Sequence, residues 1–310
     1  MDATVKIDPD ADADIDREKM KGPVKEDGLS PFRRLRIAQI RVVSILMEQA
    51  MRLGSLRSLM TRVRKWPLVQ QSINVVAGYN RVFPDLTAAE KVAARYGKQG
   101  HDSVANSNGL DAYLARPRPS DYPVLFHLSR MSGDEFRVFD LGGASGNLFF
   151  LYDQHLAFPM RLSWIVHDLP ILMERGRNLA RQRGESRLQF TDDLHGACGC
   201  DLLLVSGALH YFDFALPDYL ASLDRRPRHV VINLTPFVDA PTAATVQYAH
   251  GTVMVACRLL NQAELVAGME KLRYRLVDSW SAPERSLHLP FDPEYSVREY
   301  RGLYFRSQNT

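Results

Sequence analysis

Three features of the sequence predict an α/β fold, a doubly wound seven-stranded sheet that is mainly parallel with its last strand antiparallel. From Arg137 onward, short apolar runs bounded by turn residues alternate with stretches of helical periodicity. The first run ends in an acid and a glycine turn, VFDLGGASGN over 138–147, the strand-turn-helix arrangement of a ligand cradle at the carboxyl edge of a sheet. Two apolar runs follow a single last helical stretch, which predicts antiparallel pairing rather than another crossover.

In chain order, residues 1–28 alternate Asp with small residues and offer little apolar surface, so a disordered acidic tail is expected. Residues 29–132 are expected to form a helical N-terminal lobe covering the substrate site. There, Ile37, Ile40, Ile45, Leu46 and Met47 recur at helical spacing among Arg33, Arg34, Arg36 and Arg41, an amphipathic pattern broken near Gly54. A further helix begins after Asp85 or Thr87, a polar loop spans His101 to Asn108, and Pro117 and Pro119 mark a break. Residues 133–310 form the sheet domain. Its strands are RVFDL from 137, LSWIVHD from 162, RLQFTD from 187, DLLLVS from 201, HVVINL from 229, then RYRLVDSW and GLYFRSQ. A helix between the second and third ends at Gly184, and Asn261 with Glu264 forms a capping box for the last one.

The composition, 45% hydrophobic and 24% charged over 310 residues, is that of a soluble globular protein. A net charge of +3 and no basic track interleaved with aromatics argue against a nucleic-acid partner. No apolar run reaches the roughly 18 residues of a membrane span, and the acidic opening is unlike a secretory leader. With three cysteines, an odd number, a reducing cytoplasmic location is expected.

Glycine lets backbone turn sharply and approach a ligand closely, so the question is which ligand. A dinucleotide fingerprint needs glycine at 142, 144 and 147, where the chain has Gly142, Ala144 and Asn147. The turn instead reads Asp140-x-Gly142-x-x-x-Gly146, which resembles the first motif of class I S-adenosylmethionine-dependent methyltransferases. The flanks VHDLP, YNRVFPDL, LTPF and TVQ are similar to small-molecule O-methyltransferases and to putative methyltransferases encoded near polysaccharide or natural-product genes. The resemblance implies a Rossmann-like methyltransferase domain over 133–310 with strand order 3-2-1-4-5-7-6, and S-adenosyl-L-methionine as cofactor. It implies cofactor contacts from Asp140, Gly142, Gly143 and Gly146, and from Asp168 with Leu169, the acid receiving the ribose hydroxyls. Asp192 or Asp193 would lie near the adenine, and Ser206 and Gly207 beside the methionine portion. A helix cap is the alternative for Asp192 and Asp193.

Methyl transfer needs alignment, and a base where the acceptor must lose a proton. His210 and His250 are the candidate bases, and Tyr211, Gln247 and Tyr248 the candidate substrate contacts. HGACGC lacks a fourth ligand at recognisable spacing, so no metal is expected. The expected biosynthetic reaction is methyl transfer to a hydroxyl or amine of a small molecule or sugar, by a chain for which a homodimer is compatible. Two alternatives stand: a cofactor-binding scaffold or regulatory protein without turnover, and a membrane-peripheral methyltransferase acting on a lipid-linked glycan.

Overall fold

The computed structural model describes residues 58, 59, 62, 66, 79–96, 98–99, 116–131, 134–159, 161–248, 253–289 and 291–308. The expected acidic tail, the basic stretch up to Arg57, and the loop around His101 lie outside the described residues.

The main sheet is built from β3 (Glu135–Leu141), β4 (Arg161–His167), β5 (Leu188–Phe190), β6 (Leu202–Ser206), β7 (His229–Thr235), β11 (Tyr274–Ala282) and β12 (Tyr300–Ser307). Their order is β11-β12-β7-β6-β3-β4-β5. Counted within this sheet it reads 3-2-1-4-5-7-6. β12 runs antiparallel to both β7 and β11, and the other pairs are parallel. β7 reads HVVINLT and is buried at every position, as a strand covered on both faces requires.

Alternate residues feed two cores, one on each side of the sheet. Phe139, Leu141, Leu203, Val205, Val230 and Ile232 pack against Leu216 and Leu220 of α5 (Leu216–Ala221) and Met269 of α6 (Gln262–Lys271). Val138, Trp164, Val166, Leu202, Leu204 and Val231 face the other way. They meet α2 (Asp121–Met131), α3 (Asn147–Asp153) and Ala180 of α4 (Pro170–Gln182). α6 starts as the sequence predicts, with Asn261 Oδ1 accepting from Glu264 N at 2.9 Å. The reciprocal half of the capping box is supplied differently, because Asn261 N donates to Thr242 Oγ1 at 3.0 Å.

A second sheet differs from the helical expectation for the front of the chain. β1 (Tyr79–Phe83) pairs antiparallel with β9 (Ala243–Tyr248), β9 with β10 (Val253–Asn261), and β10 parallel with the short β2 (Lys98–Gln99) and β8 (Phe237–Val238). α1 (Leu86–Tyr96) begins where expected and buries Ala89 and Ala93 against Ala244, Val246 and Met254. This sheet therefore draws on both sides of the expected boundary at 132/133. YNRVF carries the aromatic and branched residues that suit a pleated surface, but its partner strand lies more than 160 residues away in sequence, as the Val82–Thr245 pair shows.

Candidate active site

At the carboxyl edge of the main sheet, β3 leads into the glycine turn. Gly142 and Gly146 have φ of 76° and 81°, a region that a side chain disfavours. Space imposes the same choice: a Cβ at Gly142 would lie 2.2 Å from Ala208 Cβ, beyond β6, and one at Gly146 2.7 Å from Leu188. The turn is thus pressed against Ala208, past the end of β6, and against Leu188 at the start of β5. Gly142 N donates to His167 O at 2.8 Å, fastening it to β4.

Asp168, one residue past β4, completes the fastening. Its Oδ2 accepts from Ala144 N at 2.7 Å and its Oδ1 from Leu169 N at 2.7 Å. Ala144 itself has φ of 52°, a strained setting for a residue with a Cβ, and the hydrogen bond to Asp168 holds it there. Asp168 and Leu169 are half-buried at the rim of the turn.

Asp140 corrects the expected ligand contact. It is fully buried, and the Cβ position of Gly143 lies 2.5 Å from its carboxyl carbon, so the carboxyl sits beneath the turn. Oδ2 accepts from Trp164 Nε1 at 3.0 Å, while Oδ1 is buried with no hydrogen-bond partner among the described residues. Burial pushes this carboxyl up to about 7, against the Trp164 hydrogen bond and with a further push from Asp168. Asp140 therefore supports the turn from beneath. Asp193 is also reassigned: its Oδ1 accepts from His195 N at 2.8 Å, capping a short 3₁₀ turn at Leu194–Ala197. Asp192 is exposed beside it.

At the end of β6, Ser206 and Gly207 lead into Ala208, which touches the glycine turn. Gly207 N donates to Asn233 O at 2.9 Å. The 3₁₀ turn Leu209–Tyr211 follows. His210 is only 4% exposed, with its ring 4.1 Å from that of Tyr211 and 6.2 Å from that of Tyr300. Tyr211 donates to Gln247 Oε1 at 2.7 Å, bringing together two of the residues singled out in the sequence as substrate contacts. Tyr79 and Tyr300 meet through their hydroxyls at 3.1 Å. Cys257, buried among these three tyrosines, has its thiol pushed up to about 12 by burial. His250 and the side chain of Tyr248 lie outside the described residues.

No protein-family model matches the chain, and no curated protein matches it in sequence. Among solved structures, it is similar to 1,6-didemethyltoxoflavin-N1-methyltransferase of Burkholderia thailandensis, crystallised with 1,6-didemethyltoxoflavin and S-adenosylhomocysteine. The identity is 21%, over 72% of this chain and 88% of that one, with a TM-score of 0.46. A mitomycin 7-O-methyltransferase is 15% identical over 76% of this chain and 63% of its own, at a TM-score of 0.41. Magnesium protoporphyrin IX methyltransferase of Synechocystis with bound S-adenosylmethionine is 11% identical over 72% and 84%, at 0.39.

One group at this edge escaped the sequence reading. Ser120, fully buried just before α2, directs both its backbone N, at 3.3 Å, and its hydroxyl to Glu284 Oε1. Asn233 of β7 donates from Nδ2 to Ser120 Oγ and to Ser206 Oγ, each at 3.4 Å, and accepts from Trp280 Nε1 at 3.0 Å. Ser120 and Glu284 are 164 positions apart in loop sequence, where polar residues read as solvated. The only cue was Pro117 and Pro119, which mark the break before α2.

Proposed function

We propose that this chain transfers a methyl group from S-adenosylmethionine to a hydroxyl or amine of a small molecule or sugar. Asp168 carries the reading. It is a carboxylate at the end of the second strand, tied by one oxygen to the glycine turn and by the other to Leu169 N, which is where the two hydroxyls of a ribose would meet an acid. The residues fit the cofactor in two further respects. Gly142, Gly143 and Gly146 leave no room for a Cβ, so the turn offers backbone at those positions. Asp192 stands past the third strand for the adenine.

The cofactor supplies a methyl carbon already activated by a sulfonium, so the protein's task is alignment and, for a protonated acceptor, removal of a proton. Asp168 orients the nucleoside, Gly207 and Ala208 bound the methionine portion, and His210 takes the proton at a ring nitrogen. The segment bearing Tyr211, Gln247 and Tyr248 receives the acceptor, and the N-terminal lobe covers it to exclude water. No described helix is long and apolar enough to cross a membrane, and the acceptor class we favour is small and water-borne.

Calorimetry of the full chain with S-adenosylhomocysteine and with NAD tests the cofactor. Binding of the first and none of the second is expected; binding of NAD alone would sink the reading. His210→Ala should leave that binding intact while lowering turnover on a panel of phenol and amine acceptors at least about tenfold. Unchanged turnover would remove His210 from proton transfer.

A further inference from the structure

The acid past β11 is placed at the same edge as the glycine turn. β11 is antiparallel to β12 and β12 to β7, so β11 ends where β7 ends: Ala282 pairs with Tyr300, and the adjacent Arg301 with Thr235. Glu284 follows two residues later. Its Oε1 is gripped by the backbone N and hydroxyl of Ser120. Its Oε2 is buried and has no hydrogen-bond partner among the described residues. A cation that interacts with it, Arg118, is forked onto Asp121 through Nε and Nη2, both at 3.0 Å.

A carboxylate oxygen withdrawn from water is costly until a donor meets it, and a charged donor offsets that cost best. We infer that Glu284 selects the methyl acceptor, receiving at Oε2 an N–H of an amine that arrives as the ammonium and gives one proton to His210 before its freed lone pair takes the methyl group. This rests on the methyl-transfer reading above and narrows its acceptor class to amines. Strand order assigns Glu284 to the acceptor rather than to the cofactor's own amino group. The cofactor cradle spans β4, β3 and β6, whereas β7 and β12 intervene between β6 and β11. The link back to the reacting centre runs through Ser120 and Asn233 to Ser206.

The probe is sinefungin, an analogue of S-adenosylmethionine with an amine-bearing carbon in place of the methylated sulfonium, so its amine projects toward the acceptor. Calorimetry on the full chain compares it with S-adenosylhomocysteine. The parent should bind sinefungin at least about tenfold tighter, and Glu284→Gln should erase that preference while changing S-adenosylhomocysteine affinity less than about twofold. A parent with no preference overturns the inference without recourse to any variant, so a misfolded Glu284→Gln does not shield it. A folded Glu284→Gln that keeps the preference, or that loses both ligands equally, overturns it as well. If the parent binds neither ligand, the methyl-transfer reading itself falls, and this inference with it.

Discussion

The glycine turn after β3 and the tyrosine cluster where the second sheet meets the main one are built by different means. The turn is assembled from residues 140–147 and 167–169, two short stretches on adjacent parallel strands, and its fastenings are backbone donors: Gly142 N to His167 O and Ala144 N to Asp168. The tyrosine wall takes Tyr79, Tyr211, Gln247 and Tyr300 from four distant segments and joins them through side chains. A backbone-built cradle suits an invariant ligand. A wall of side chains can be changed one residue at a time, which suits a variable acceptor.

The sharpest way to break the first half is Asp168→Ala. Under the proposed function it removes the ribose acceptor and also frees Ala144 from its hydrogen bond, leaving the tyrosine wall untouched. Charge-assisted hydrogen bonds contribute about 1.5–3 kcal/mol each, so affinity for S-adenosylhomocysteine should fall about a hundredfold in a protein that still folds. Calorimetry that finds less than about a fivefold loss would take Asp168 out of the ribose site.

Asp140→Asn sharpens the comparison from beneath the turn, through stability. In the folded chain this carboxyl is pushed from 3.8 up to about 7, chiefly by burial. The native state therefore keeps a proton that the unfolded chain releases. Its favourable contribution is complete below about pH 4 and is lost as pH rises toward 7, at about 1.4 kcal/mol per pH unit within that window. The amide keeps an oxygen for Trp164 Nε1 and does not titrate. Urea unfolding at pH 5, 6 and 7 should thus show a flatter decline in the variant by about that slope. Parallel pH profiles for parent and variant would mean that Asp140 does not hold its proton in the folded state.

The two regions also differ in how far the sequence revealed them. β7 was legible because a strand covered on both faces must be apolar throughout, and the glycine turn because its conformation excludes other residues. Asp168 was singled out by the family resemblance, and the structure fastens it to the glycine turn. Asp140 and Asp193 were ambiguous in sequence for a common reason: carboxylates beside a turn look alike, whether they face a ligand, lie beneath the backbone, or cap a helix. The strand Tyr79–Phe83 and the Ser120–Glu284 pair could not be read, because what makes each of them informative is a partner more than 160 residues away.

The smallest expected effect comes from Tyr211→Phe, which subtracts one oxygen from the tyrosine wall. The phenol donates to Gln247 Oε1 at 2.7 Å, tying the turn after β6 to β9. Burial holds the Tyr211 hydroxyl well above its ordinary value, so it stays protonated and keeps donating across the working pH range. Removing it leaves an amide oxygen without this donor and should cost about 1 kcal/mol, or a fall of about 2–4 °C in melting temperature. Because neither partner changes charge, the loss should be the same at pH 6 and pH 9. Affinity for S-adenosylhomocysteine should not move, since the contact belongs to the wall and not to the turn. A loss that grows with pH would show that the phenol ionises, and a matching loss of cofactor affinity would show that the two regions are coupled rather than independently built.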